Sequence, residues 1–85
     1  MTRFLIERNF AEQLEVTPEG AAGLKQINDE ENVKWLFSFL SADKKKTYCL
    51  YEAASADAIR TAAQRAGLPA DVIIEVSDLR PEMFA

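Results

Sequence analysis

An α+β domain with elements in the order β-α-β-β-α-β is what this sequence predicts, and three observations carry that reading. The stretch from Asn32 to Ala53 concentrates aromatic and branched residues on either side of a polar break, the pattern of a β-hairpin. Two other segments carry helix-start signals followed by apolar residues at helical spacing. Two short apolar runs, one near each end of the chain, supply the outer strands.

The first strand is expected over Arg3–Asn9, with Phe4 and Ile6 on one face and Leu5 and Glu7 on the other. Phe10–Val16 reads as irregular, with enough apolar residues to pack down. Thr17-Pro18-Glu19 opens a helix: a hydroxyl to accept a free N–H, proline at the first position, and an acid against the dipole. That helix runs to Asn28 or Glu31, and Gly20 and Gly23 thin its apolar face. The hairpin strands are Val33–Leu40 and Lys46–Glu52, joined by Ser41–Lys45. Simple alternation puts Val33, Trp35, Phe37 and Phe39 on one face and Leu36 and Leu40 on the other.

A second helix is expected over Ala56–Ala66, with Ser55 as its N-cap, Ile59, Ala62, Ala63 and Ala66 as its apolar stripe, and Gly67 with Pro69 as its stop. Asp71–Val76 is the last strand, followed by a tail, Ser77–Ala85, whose Leu79, Met83 and Phe84 suit docking on the domain itself or on a partner. Right-handed crossovers place both helices on one face of a four-stranded antiparallel sheet of order 4-1-3-2, the ferredoxin-like split βαβ arrangement. The hairpin strands are apolar on both faces, so the face opposite the helices needs a cover of its own, and a second copy of the chain is the expected one.

With 85 residues, 48% of them hydrophobic, the chain predicts one domain, residues 1–85, with its core over about 3–76. A net charge of −4 gives nucleic acid no electrostatic reason to bind. No apolar run approaches the ~20 residues of a membrane span. Met1-Thr2-Arg3 leads into a strand rather than a signal peptide, and the lone Cys49 excludes an internal disulfide, so the expectation is a cytoplasmic protein. Lacking histidine, the chain builds no Ser-His-Asp triad, and its three glycines match neither a dinucleotide fingerprint nor a P-loop.

Face parity gives one constellation. With Phe4 and Ile6 toward the helices, Leu5 and Glu7 face the open side; with Cys49 and Tyr51 toward the helices, Tyr48, Leu50 and Glu52 face it too. Taken as parallel central neighbours, the first and third strands would bring Glu7 and Glu52 within about 5 Å. Glu75 would join them from the fourth strand, with Trp35, Phe37, Phe39 and Tyr48 as an apolar wall. Two such carboxylates share one proton or a cation, or each takes a basic partner from its own chain or another. Arg8 has the opposite parity to Glu7, so the two are not expected to form one ion pair.

The run WLFSFLSADKKKTYCLYEA, followed by AIR and AGLPADVIIEV, resembles a small bacterial family of single ferredoxin-like domains of unknown function, described in part as nickel-binding proteins. Its characteristic pieces here are Glu7-Arg8, Trp35 with Ser38, Ser41 and Asp43, the segment Tyr48 to Ala53, and Ala66-Gly67-Leu68-Pro69. The resemblance implies a dimeric α+β barrel and a metal-binding habit. Without imidazole, a nickel site would rely on carboxylate, thiolate or backbone groups. Three readings follow. The first is a homodimer binding a small ligand or a divalent metal such as nickel in the cleft on the open sheet face, with Glu7, Glu52, Glu75, Tyr48 and Trp35 at the site. The second is a small cofactorless enzyme using Glu7 and Glu52 as acid and base. The third is a structural dimerisation module.

Overall fold

The computed structural model describes residues 1–84; the tail's last residue, Ala85, lies outside the described residues. The chain runs β1 (Thr2–Asn9), α1 (Pro18–Glu30), β2 (Lys34–Leu40), β3 (Lys46–Ala53), α2 (Ala56–Ala66), β4 (Val72–Val76) and a short 3-10 turn, Pro81–Phe84. The sheet has the order β2-β3-β1-β4, which is the expected 4-1-3-2 read from its other edge, with every neighbouring pair antiparallel. Two helices over one face of such a sheet make a ferredoxin-like domain.

Each helix is bounded by residues suited to its ends. Thr17 Oγ1 accepts from Gly20 N at 3.1 Å and Pro18 occupies the first turn of α1, a cap of about 1 kcal/mol. Beyond α1, Asn32 adopts φ 57°, a left-handed turn that asparagine tolerates, and Val33 N returns to Asn28 O at 2.9 Å. Ser55 caps α2 by accepting from Ala58 N. Gly67, at φ 69°, closes it, and Leu68 N reaches back to Ala63 O at 2.9 Å. Across the two helices, Arg65 bridges Glu30 and Glu31.

The core lies between helices and sheet. Phe4 and Ile6 of β1 meet Cys49 and Tyr51 of β3, with Ile59 and Ala62 of α2 packed above them. Ile6 and Ile59 are the largest wholly buried side chains, and truncating either to alanine costs about 2–5 kcal/mol. The irregular segment after β1 docks on the β2–β3 hairpin tip through Phe10 N to Lys45 O at 2.8 Å and Leu14 N to Lys44 O at 2.7 Å.

β2 departs from simple alternation. Trp35 pairs with Tyr51 and Phe37 with Leu50, so Leu36 is the extra residue of a β-bulge. The bulge reverses the facing of the strand. Val33 and Trp35 lie on the helix side, whereas Phe37 and Phe39 lie on the open side. The expectation that Trp35 shares a face with Phe37 and Phe39 is corrected by that one residue.

Candidate functional site

The open face is built from alternate residues of all four strands. Leu5, Leu50, Ile74 and Phe37 form its central row, flanked by Val72, Tyr48 and Phe39 toward one end and by Val76 toward the other. Phe39 is 65% exposed, and Phe37 and Ile74 50% each. The rings of Phe37 and Phe39 sit edge to face at 5.5 Å.

Charged pairs of both signs close this apolar strip at its two ends. Lys46 Nζ lies 3.2 Å from Glu7 Oε1 and 5.6 Å from the centroid of the Tyr48 ring. The Glu7 carboxylate holds the Lys46 ammonium charged above its ordinary range. At the other end Arg3 lies 3.8 Å from Glu52 and 2.7 Å from Asp78. Hydrogen bonds from Arg3 and then Arg80 hold the Asp78 carboxyl below its usual range.

The expected Glu7–Glu52–Glu75 constellation is therefore not assembled. β1 and β3 run antiparallel, so Glu7 stands opposite Tyr48 and Glu52 opposite Arg3. Four residue steps, about 13 Å along the sheet, separate the two carboxylates. Glu75 stands opposite Phe4, in register with the helix-facing residues, while Val72, Ile74 and Val76 take the open face. Of the five site residues expected from the sequence, Glu7, Glu52 and Tyr48 lie on the open face, and Trp35 and Glu75 do not.

The helix side holds a feature that strand parity does not reveal. A cavity of about 540 Å³ lies between α1 and the sheet. Its roof is the small-residue run Gly20, Ala21 and Gly23 of α1, and a Cβ added at Gly23 would meet open space. Trp35, Leu40, Leu24 and Ile27 supply apolar wall, and Thr47, Cys49 and Tyr51 the floor. The Trp35 indole N–H donates to Ser38 Oγ at 2.8 Å. Burial pushes the Tyr51 phenol up, against the opposing influence of the Arg8 charge and an Asn28 hydrogen bond.

Arg8 borders the same cavity and is only 4% exposed. Its Nη1 donates to Pro69 O at 2.5 Å and its guanidinium carbon lies 5.8 Å from the Tyr51 ring centroid. Among the described residues no carboxylate forms an ion pair with it. The signal was present in the sequence: a charged residue at helix-facing parity in a central strand.

This geometry defines a small ferredoxin-like domain with an unpaired apolar sheet face and a ligand-sized cavity under its first helix. The chain belongs to the family of nickel responsive proteins like SCO4226, whose model matches residues 4–76. It is similar in structure to SCO4226 from Streptomyces coelicolor A3(2), known from a crystal structure, with a TM-score of 0.69 and 26% identity over 92% of this chain and 99% of that one. None of the curated proteins matches the chain.

The family's description raises nickel, and a single chain does not fit it. Among the described residues no three His, Cys, Asp or Glu side chains converge. Glu7 and Glu52 each face a basic partner, and Cys49 is buried with its Sγ 3.5 Å from Thr47 Oγ1. Among the described residues no helix is long and apolar enough to cross a membrane.

Proposed function

We propose that the chain is a non-catalytic binding protein that works as a homodimer, two copies meeting through the open face of the sheet to form an α+β barrel. The observation that carries this reading is the open face itself: exposed Phe37, Phe39 and Ile74 in one strip, bounded at both ends by ion pairs of both signs. An apolar strip of that kind marks an interaction surface. A two-fold axis sets one patch against itself, which suits a surface carrying acid and base at each end. The tail fits the same picture: Leu79, Met83 and Phe84 are exposed on their own chain and free to dock on the partner.

The acid/base reading is weaker, because Glu7 and Glu52 share no pocket and each faces a cation. Nickel enters through the dimer alone. A second copy would have to add ligands that one chain lacks, with Glu7 or Glu52 as the oxygen donors nearest the interface. Native mass spectrometry of the freshly purified protein, with metal analysis of the same sample, tests both parts. The expected species is two chains. A monomer at micromolar concentration contradicts the reading, and a dimer that neither retains nor takes up nickel removes the metal from it.

A further inference from the structure

We propose that the cavity beneath α1 is a binding site for a small amphiphilic monocarboxylate, with Arg8 as the counter-ion of its carboxylate. The proposal goes beyond the dimer reading and does not depend on it, since the cavity lies on the opposite side of the sheet from the proposed interface.

Two independent observations meet here. The first is shape: about 540 Å³ walled mainly by apolar side chains, within the usual range for small-molecule sites. The second is charge. Arg8 is 4% exposed and rests on the Pro69 carbonyl and the Tyr51 ring, but no carboxylate is in ion-pair contact with it among the described residues, which makes it a buried cation without a counter-ion. Arginine stays protonated in a protein, so it cannot escape that cost by losing its proton. One donor is used by Pro69 O, and the planar fork has further N–H groups for a carboxylate.

The other charges near the cavity do not supply this anion. Arg65 borders it but is committed to Glu30 and Glu31. Glu15 also lines it, on the exposed segment before α1, and makes no ion pair with Arg8. The preferred occupant therefore places one negative charge at Arg8 and an apolar body between α1 and the sheet, along Leu24, Ile27 and Trp35.

Trp35, the only tryptophan, is a built-in reporter on the cavity wall. The test titrates the full chain at neutral pH with decanoate and with decanol, both below aggregation, reading Trp35 emission and, by calorimetry, stoichiometry. Decanoate is expected to saturate at one per chain and to bind about tenfold or more tighter than decanol. In Arg8→Met that preference should disappear, while decanol binding stays. Gly23→Met, which pushes a side chain into open space at the cavity roof, should weaken both ligands. Equal affinity for decanoate and decanol in the wild type overturns the proposal, as does the absence of saturable decanoate binding. If Arg8→Met does not fold, the wild-type comparison and Gly23→Met decide alone. Unchanged decanoate binding in folded Gly23→Met puts the site elsewhere and overturns the assignment.

Discussion

At the scale of single residues, parity explains both what the sequence disclosed and what it hid. Cys49 lies between Tyr48 and Leu50, and its helix-facing position followed from the alternation of β3; it is 6% exposed on the cavity floor. A charged thiol reagent should therefore label it slowly in the native protein and rapidly in denaturant. Fast stoichiometric labelling of the folded chain would contradict that burial. Trp35 was misread because Trp35, Leu36 and Phe37 are all large and apolar, so no polar residue marks the step where the strand gains its bulge. Glu75 was misplaced for a related reason: Val72, Ile73, Ile74 and Val76 make both faces of β4 apolar, and alternation alone does not say which one meets the helices. The Glu7–Glu52 pairing fails on direction, since one crossover and one hairpin leave β1 and β3 antiparallel.

At the scale of elements, the helices were legible because their ends carry local signals, Thr17-Pro18 for α1 and Ser55 with Gly67 for α2. The cavity was not, because it results from what α1 omits. Gly23 sits inside that helix, with nothing within 4 Å of where a Cβ would stand. Gly23→Ala should stabilise the protein by about 1 kcal/mol through helix propensity and unfolded-state entropy. Urea melts check this, and a loss of stability would show that the space is not open. The bridge from Arg65 to Glu30 and Glu31 ties the helix layer together. Hydrogen bonds from Arg65 and then Gln26 hold the Glu30 carboxyl below its usual range. A lowered folded-state value gives stability that is complete above the unfolded-state value and lost as pH falls through the folded one. The melting temperature should thus fall on acidification below about pH 4.5. The gap between wild type and Arg65→Met should narrow over the same range. A gap constant from neutral to acid pH would show that the bridge contributes nothing through Glu30's charge.

At the scale of the whole molecule, one face of the sheet is covered by the chain's own helices and the other by nothing of its own. That both faces of the hairpin are apolar was legible in the sequence, where Phe37 and Phe39 oppose Leu40 across the same strand. A chain of 85 residues buries a modest share of its surface, so closing this face by pairing would contribute substantially to its stability. Glu7 and Glu52 then serve as rim charges, each with a basic partner, rather than as one catalytic pair. The most direct measurement is sedimentation velocity of the wild type and Phe39→Asp across the micromolar range. The account predicts a wild-type species of two chains and a folded Phe39→Asp monomer, because an aspartate beside Tyr48 in the apolar strip would be desolvated in the interface. A wild type that sediments as one chain, or a Phe39→Asp variant that remains as dimeric as the wild type, would contradict it.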